Sequence, residues 1–207
     1  MKLGAKRGMI GVVDYGVGNL ASVQGAVLRA GHCPLVSNDP AVLEEADMVL
    51  LPGVGAFPVA MQSLNDHGLV EVLKGIAARG RPLLGICLGM QLLADRSLEN
   101  GETAGLALIP GSVEPRPDHS HHIGWNRIKV RPDVAWLDGL DEAFVYFNHG
   151  YYFRAANGAT VATAQCCGDE VVAAVQRDNV VGVQFHPEKS QDAGDRLLSA
   201  LIGQMLS

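Results

Sequence analysis

Residues 81–97, RPLLGICLGMQLLADRS, decide the fold that the sequence predicts. The apolar run in this stretch ends at Cys87, which has a glycine two residues away on each side, Gly85 and Gly89. An amphipathic run begins immediately after the cysteine. The pattern predicts a buried strand that turns sharply at Cys87 into a helix over residues 88–97. Glycines permit such a turn and the close approach of neighbouring backbone.

The chain before this stretch alternates strand-like and helix-like segments. Residues 9–16 (MIGVVDYG) and 48–55 (MVLLPGVG) are apolar runs that end in turn residues, with a helix predicted over 19–31 and one helix or two over 57–80. Strands that are apolar on both faces and alternate with helices indicate a mostly parallel central sheet with helices on both faces. Ligands of such sheets bind at the carboxyl ends of the strands, where Cys87 is expected.

The second half of the chain is rich in strand-like segments separated by turn residues. They predict a mixed or antiparallel extension of the sheet, followed by a closing amphipathic helix over residues 190–206. We therefore expect an α/β fold in which residues 9–207 form a single domain, after a loose tail over residues 1–8. The strand-like segments are 125–130, 143–155, 160–167, 171–178 and 180–188.

Composition narrows the classes of partner and compartment. The formal net charge of −6 argues against attraction to nucleic acid or to an anionic membrane surface. No apolar run is as long as a membrane span. The four cysteines show neither the spacing of a disulfide framework nor that of a zinc clip, which indicates free thiols in a reducing cytoplasm.

A cysteine at a strand-to-helix turn has what a nucleophile needs. The turn exposes the sulfur, and the amino end of the following helix favours its thiolate form. The backbone N–H of Leu88, the next residue, is then a natural donor to the oxyanion that forms on attack. The alternative is that Cys87 is a small buried apolar residue, as most free cysteines are.

His186 and Glu188 supply the base and the acid that a cysteine nucleophile requires. They lie in the sequence His-Pro-Glu at the end of an apolar strand. In extended backbone, residues i and i+2 project to the same side, so Glu188 reaches His186 and fixes its tautomer. The alternative for an isolated His-Pro-Glu is a solvated loop, although this strand end coincides with the expected ligand-binding edge.

Two further segments are ambiguous on their own. Gly53, Val54 and Gly55 follow a strand and can direct N–H groups into a cleft, although an ordinary strand-to-helix turn has the same composition. His119, His121 and His122 suggest a metal site, but no cysteine or carboxylate completes a ligand shell, which favours a solvated loop. We expect neither a metal nor a cofactor.

With Cys87, His186 and Glu188 identified, the chain resembles the class I, triad-type glutamine amidotransferases. Further motifs resemble the glutaminase subunits of imidazole glycerol phosphate synthases, and together they span about residues 9–206. The pattern GICLGMQ is typical of the broad superfamily, whereas the others are more specific. The motifs are VVDYGVGNLASV, LLPGVGAF, GICLGMQLL, GLALIPG, HIGWN and VGVQFHPEKSQ.

This resemblance implies a flavodoxin-like three-layer fold and a thioester mechanism acting on L-glutamine. It implies that Cys87 attacks the side-chain amide, that His186 transfers the protons and that Glu188 orients His186. The same likeness assigns the remaining functional positions. The oxyanion hole comprises Gly53, Val54, Gly55 and Leu88, and the substrate-holding positions are Gln91, Gly150 and Tyr151.

The resemblance also implies a partner. In these families ammonia passes to a (β/α)₈-barrel cyclase in a one-to-one heterodimer, which makes imidazole glycerol phosphate and an aminoimidazole carboxamide ribotide in histidine biosynthesis. Glutaminase activity is low until the partner's ligand binds, and a peptide flip in the Pro-Gly-Val-Gly segment is the implied switch. The positions expected at or near the docking face are Asn19, Trp125, Asn126, Tyr146 and Lys189.

Two positions depart from these motifs. The residue before His122 is usually proline and is His121 here. The residue between His149 and Tyr151 is usually serine or threonine and is Gly150 here. Substrate contacts made by the backbone survive the second change, whereas a contact made by a side-chain hydroxyl does not.

Three alternatives share much of this pattern. Another triad glutaminase, such as the one that serves pyridoxal phosphate synthesis, or a stand-alone γ-glutamyl hydrolase has the same three residues but lacks the motif H-x-G-W-N. A catalytically silent subunit that regulates a partner would keep the fold alone. All three triad residues are present here, which argues against the silent subunit.

Overall fold

The structure is a computed structural model that describes residues 7–116, 120–156 and 158–207. Its strands, in chain order, are β1 (Met9–Val13), β2 (Cys33–Ser37), β3 (Met48–Gly53), β4 (Leu83–Cys87), β5 (Arg96–Ser97), β6 (Thr103–Ala104), β7 (Gly111–Pro115), β8 (His122–Val130), β9 (Phe144–His149), β10 (Tyr151–Ala155), β11 (Thr160–Cys166), β12 (Asp169–Arg177) and β13 (Val180–Val183).

The described ranges also contain six α-helices and two single 3₁₀ turns. The helices are α1 (Leu20–Arg29), α2 (Pro40–Glu45), α3 (Phe57–Asp66), α4 (Leu69–Ala78), α5 (Leu88–Leu92) and α6 (Gln191–Met205), and the 3₁₀ turns are Ala135–Leu137 and Pro187–Lys189.

A nine-stranded sheet runs through the molecule in the order β2-β1-β3-β4-β13-β12-β11-β8-β9. The first five strands are parallel, and their order is that of a flavodoxin-like sheet with β13 in the fifth place. The remaining strands pair antiparallel. The predicted parallel sheet with an antiparallel extension in the second half of the chain is therefore confirmed.

Both faces of the inner parallel strands, β1, β3, β4 and β13, are largely buried, as their apolar composition predicts, whereas the edge strand β2 is partly exposed. In β3, Met48 and Leu50 belong to the core under α1 and α6, whereas Val49 and Leu51 belong to the core under α2 to α5. The alternation follows the two-residue period of a strand. The layers are therefore helix, sheet and helix, and they hold the carboxyl ends of β3, β4 and β13 at one edge.

The predicted helix boundaries hold to within about two residues for α1 and for the segment 57–80, whereas β2 and α2 were not predicted. The side chain of Asn19 accepts a hydrogen bond from the backbone N–H of Ser22 (3.4 Å) and caps α1. The segment 57–80 forms two helices, α3 and α4, that are divided at Gly68. None of the described helices is long and apolar enough to cross a membrane.

The helix after Cys87 is shorter than predicted: α5 ends at Leu92 instead of continuing to residue 97. The backbone N–H of Leu106 bonds to the Leu92 carbonyl (2.8 Å), and that of Leu108 bonds to the Leu93 carbonyl (2.9 Å). A distant loop thus takes the acceptors that a continuing helix would use. This loop belongs to a second, four-stranded sheet, ordered β10-β7-β5-β6, which the sequence did not predict.

The segment 143–155 is likewise divided. It forms β9 in the large sheet and β10 in the small sheet, with the break at Gly150. At the other end of the chain, the backbone of Gly8 bonds to His32 and Cys33 (3.2 and 3.0 Å). Most of the tail predicted over residues 1–8 lies outside the described residues.

Candidate active site

Cys87 ends β4 and immediately precedes α5, with φ 54° and ψ −109°. Non-glycine residues rarely adopt a positive φ, and such strain is typical of functional turns. The two flanking glycines are required by sterics. A Cβ on Gly85 would lie 2.5 Å from the carbonyl oxygen of Gly89, and a Cβ on Gly89 would overlap the carbonyl oxygen of Leu51. The helix therefore packs directly onto the strands and holds the sulfur at their edge.

His186 and Glu188 form a buried pair beside this turn. The Nδ1 atom of His186 lies 2.8 Å from the Oε1 atom of Glu188, and the two side chains are 2% and 3% exposed. The local geometry differs from the extended backbone predicted, because Pro187 begins a 3₁₀ turn that brings Glu188 back to the ring. The His186 backbone is fixed by a bond from its N–H to the Tyr146 carbonyl (2.9 Å).

The environment of His186 favours its charged form. Burial opposes the imidazolium, but the neighbouring Cys87 sulfur and the Glu188 carboxylate outweigh it and raise the pKa of His186 to about 9. The raised pKa means that the imidazole of His186 carries its proton at neutral pH. An imidazolium beside a sulfur nucleophile is the arrangement that a cysteine-histidine site requires.

A cleft of about 310 Å³ opens in front of Cys87 and His186. All of the predicted oxyanion and substrate positions except Gly53 line it, and the triad member Glu188 does not. The lining residues are Val54, Gly55, Cys87, Leu88, Gln91, Glu99, His121, Asn148, His149, Gly150, Tyr151 and His186.

The predicted oxyanion segment, Gly53 to Gly55, follows residues whose backbone is held by hydrogen bonds at the end of β3. Gly53, fully buried, pairs with Cys87 across β3 and β4. The hydroxyl of the buried Tyr15 donates to the Pro52 carbonyl (2.7 Å), and burial, followed by the nearby Cys87, raises the pKa of Tyr15, which keeps this donor protonated. The next residue, Val54, is 38% exposed in the cleft. The backbone is therefore hydrogen-bonded and buried at Pro52, and it is exposed to the cleft two residues later at Val54.

Behind the nucleophile lies a chain of buried amides. The Nε2 atom of Gln184 donates to the Cys87 sulfur (3.8 Å), and its Oε1 atom accepts from Nε2 of Gln91 (3.1 Å). The same Gln91 nitrogen donates to the Tyr151 carbonyl (2.9 Å). Gln91 is therefore held in one orientation between the nucleophile and the strand break at Gly150.

Two histidines continue this chain to the edge of the sheet. The Tyr151 carbonyl can only accept, so the His149 Nδ1 atom, 2.9 Å away, must donate to it. The His149 Nε2 atom then accepts from Nδ1 of His122 (3.3 Å), and Nε2 of His122 accepts from the Asn126 amide (3.2 Å). Burial lowers the pKa of His122 to about 4 and that of His149 to about 3, in agreement with two neutral rings.

Sequence reasoning missed three polar residues of this site. Gln184 is wholly buried two residues before His186, and a glutamine inside an apolar strand was the signal that could have found it. His149 was noted only as part of a motif. Glu99 lines the cleft, and its Oε2 atom accepts from the backbone N–H of Phe57 (2.8 Å). No local pattern distinguishes Glu99 from a solvated loop residue.

The five positions predicted at a docking face differ in their exposure to solvent. Trp125 is 39% exposed and contacts the ring of Tyr146 (6.0 Å between centroids), which lies 6.4 Å from the ring of His186. Asn19 and Lys189 are exposed, whereas the side chain of Asn126 turns inward to His122 and to the carbonyl of Gln165.

Other apolar side chains extend the exposed surface around Trp125. Phe144 is 50% exposed and stacks on Trp125 (5.8 Å), and Ile123 is 64% exposed. Exposed aromatic side chains grouped in this way are typical of protein interaction surfaces. The sequence did not single out Phe144 or Ile123.

The histidines considered for a metal site do not form a cluster in the described residues. His119 lies outside the described residues, and His122 is a neutral member of the hydrogen-bonded chain. Across the part of the chain that the structure describes, no group of three or more histidine, cysteine, aspartate or glutamate residues is arranged to hold a metal ion.

Comparison with known proteins agrees with this geometry. Residues 12–201 match the family of class-I glutamine amidotransferases. The chain is 45% identical over 204 residues to the imidazole glycerol phosphate synthase subunit HisH of Geobacillus thermodenitrificans (strain NG80-2), a match covering 94% of this chain and 95% of that protein. It is 45% identical over 191 residues to the subunit of the same name from Aquifex aeolicus (strain VF5), covering 90% and 92%.

Solved structures share the fold at low sequence identity. A crystal structure of a glutamine amidotransferase superposes with a TM-score of 0.74 at 19% identity and covers 95% of this chain and 98% of its own. A glutamine amidotransferase from Thermotoga maritima gives a TM-score of 0.70 at 19% identity, covering 97% and 99%.

Proposed function

The chain belongs to the class-I glutamine amidotransferases, within the family of imidazole glycerol phosphate synthase HisH subunits, and on that premise we propose that it cleaves the amide of L-glutamine through a thioester on Cys87. Membership makes it a glutamine amidotransferase of histidine biosynthesis. The observation that best supports the proposed chemistry is the strained cysteine beside a buried His186–Glu188 pair, at the bottom of an open cleft.

In the first step the Cys87 sulfur attacks the side-chain carbonyl carbon of glutamine. His186 holds the proton that leaves the thiol, and Glu188 stabilises the imidazolium through its bond to Nδ1. The oxyanion receives the backbone N–H of Leu88 and an N–H from the segment Gly53 to Gly55. The imidazolium then protonates the leaving ammonia as the carbon–nitrogen bond breaks, and a glutamyl thioester remains.

In the second step water attacks the thioester. His186, now neutral, removes a proton from the water, glutamate leaves, and the sulfur is released for the next turnover. Gln91 and the backbone of Gly150 and Tyr151 hold the substrate, which the fixed orientation of Gln91 supports. The Glu99 carboxylate in the cleft suits the α-ammonium group of glutamine, a role that we add to those predicted from the sequence.

The partner of this subunit is the other subunit of the synthase. We propose that it is a (β/α)₈-barrel cyclase, bound one-to-one, that receives the ammonia and forms imidazole glycerol phosphate and the aminoimidazole carboxamide ribotide. The exposed Trp125–Phe144 stack beside Tyr146 supports docking at this face, close to His186. The four free cysteines suit a reducing cytoplasm.

Glutamate release tests this function against its alternatives. It is measured for the chain alone, then with the cyclase subunit, then with the cyclase and its nucleotide ligand. We expect a low rate alone and a large stimulation in the liganded complex. Turnover that is constant across the three conditions would support a stand-alone hydrolase or another triad glutaminase, and no turnover in any condition would support a silent regulatory subunit.

A glutamine analogue that alkylates thiols tests the nucleophile within the same complex. A diazoketone analogue of glutamine should label Cys87 and leave the other three cysteines unmodified, as located by peptide mass mapping. Labelling of Cys33 or Cys167, both exposed, with Cys87 unmodified would contradict the proposed site.

A further inference from the structure

The two positions at which the sequence departs from its motifs lie against each other. A Cβ atom on Gly150 would stand 2.7 Å from both Cε1 and Nδ1 of His121. Protein Cβ atoms do not approach other atoms this closely, so the ring of His121 occupies the space that a side chain at position 150 would need. The histidine at position 121 in this orientation therefore requires a glycine at position 150, so the two departures from the motifs are coupled.

The ring of His121 also forms part of the cleft wall. His121, Gly150 and Tyr151 all line the cleft in front of Cys87. Two other imidazoles line this wall, and both already have partners. His149 bonds to the Tyr151 carbonyl and to His122, and His186 bonds to Glu188. The ring nitrogens of His121 make no hydrogen bond to any residue that the structure describes, and the side chain is exposed.

A glutamine bound in this cleft brings an α-carboxylate and an α-ammonium group. Glu99 is the cleft group suited to the ammonium. An imidazole N–H that lines the same cleft and is not engaged elsewhere is suited to the carboxylate, because hydrogen bonds to an ionised acceptor are the stronger ones.

We infer that His121 and Gly150 are a coupled pair of specificity determinants, in which the ring of His121 takes the place of a residue-150 side chain and donates a hydrogen bond to the α-carboxylate of the substrate. This inference rests on the proposed glutaminase function. It adds to the substrate site a side-chain contact that the glycine makes possible.

The test compares four proteins in the liganded synthase complex: wild type, His121→Ala, Gly150→Ala and the double variant. The ratio of kcat/KM for L-glutamine to kcat/KM for its α-amide measures recognition of the carboxylate. Gly150 has an ordinary φ, so alanine is compatible with the backbone and adds only the methyl group that displaces the ring. Gly203→Ala, an exposed helical position with open space around it, is the matched control.

We expect His121→Ala to raise KM for glutamine roughly tenfold with little change in kcat, and to lose most of the discrimination against the α-amide. Gly150→Ala should reproduce this loss, and the double variant should be no worse than either single one. His121→Gln, which keeps a side-chain N–H donor, should recover part of the discrimination, whereas a purely structural role would give no such rescue.

Two results would overturn the inference while leaving the proposed function intact. One is an active His121→Ala enzyme with wild-type discrimination, and the other is strictly additive effects in the double variant. A wild-type complex that releases no glutamate from glutamine would instead overturn the proposed function itself.

Discussion

At the scale of the residue, Glu188 and Cys87 set the pKa of His186, the residue that transfers protons in the proposed mechanism. Burial alone would lower the pKa of His186, and the neighbouring Cys87 sulfur and Glu188 carboxylate reverse that effect. The imidazolium is therefore present over the neutral range and available to protonate the leaving ammonia. In the proposed mechanism the glutaminase rate consequently falls at alkaline pH, where His186 loses its proton.

We predict that the glutaminase rate of the liganded complex falls above about pH 9, because His186 then loses the proton that the leaving group needs. Glu188→Gln removes the carboxylate charge, which lowers the pKa of His186 and moves this limb to lower pH. The same substitution should lower kcat about a hundredfold, less than Cys87→Ala, since Glu188 orients and does not attack. The pH–rate profiles of both proteins are the measurement.

An alkaline limb that stays in place or moves to higher pH in Glu188→Gln would contradict this assignment. Damage equal to that of Cys87→Ala would also contradict it. The circular dichroism spectrum of the variant, compared with wild type, excludes misfolding as the cause of either result.

The sequence was sufficient to select, as candidates, three residues that lie in short local patterns and that the fold brings together: Cys87, His186 and Glu188. Gly-x-Cys-x-Gly is enforced by close backbone contacts around Cys87, and His186 and Glu188 are only two positions apart. Gln184 and His149 were not predicted, because each acquires its role through partners that are distant in the chain, the Cys87 sulfur and His122. Such partners depend on tertiary packing, which no local pattern specifies.

At the scale of the element, the turn from β4 to α5 is held by two glycine contacts. A methyl group on Gly89 has no room beside the Leu51 carbonyl, so the first turn of α5 would have to separate from β3. This contact is what aims the sulfur into the cleft. The stability of the turn and the position of the nucleophile are thus two consequences of one packing constraint.

We predict that Gly89→Ala destabilises the protein by about 3 kcal/mol or more, because the clash is with backbone that cannot rotate away. Gly203→Ala, on an exposed part of α6 with no atom near the added methyl group, should instead stabilise by about 0.5–1 kcal/mol. Urea denaturation of both variants measures the free energy of unfolding. Equal effects of the two substitutions would show that the close approach of α5 to β3 is unimportant.

The elements were predictable where local pattern and tertiary structure agree. The inner parallel strands β1, β3, β4 and β13 are apolar on both faces, whereas the partly exposed edge strand β2 was not predicted. Asn19 caps α1 as its sequence position suggests. The end of α5 was not predictable, because the loop around Leu106 competes for its carbonyl groups. The small sheet was missed for a similar reason: β5 and β6 have two residues each and are defined by their partners rather than by their own sequence.

At the scale of the whole molecule, the two edges of the large sheet differ. β2 forms one edge, and the β8–β9 pair at the other edge carries the exposed apolar side chains of Ile123, Trp125 and Phe144. The hydrogen-bonded chain from Asn126 through His122 and His149 runs inward from this edge to the Tyr151 carbonyl in the cleft. A partner that docks at this edge, as proposed, would therefore contact groups that are connected to the cleft.

We predict that Trp125→Ala weakens binding of the cyclase subunit at least tenfold, since a tryptophan in an aromatic cluster is typical of the residues that dominate interfaces. Leu35→Ala is the matched control: both side chains are 39% exposed, and Leu35 lies on β2 at the opposite edge. Titration calorimetry with the purified cyclase gives both dissociation constants. Weakening by Leu35→Ala with no effect of Trp125→Ala would place the interface elsewhere.

If Cys87 is the nucleophile of a glutaminase that supplies ammonia to a partner, its removal separates the two nitrogen sources that the complex can use. Imidazole glycerol phosphate formation is measured in the complex of the cyclase with the Cys87→Ala variant, first with glutamine and then with ammonium salt as the nitrogen donor. We predict that the glutamine-dependent reaction is lost and that the ammonia-dependent reaction remains at the wild-type rate. Persistence of the glutamine-dependent reaction, or loss of both reactions in a complex that still assembles, would contradict the claim.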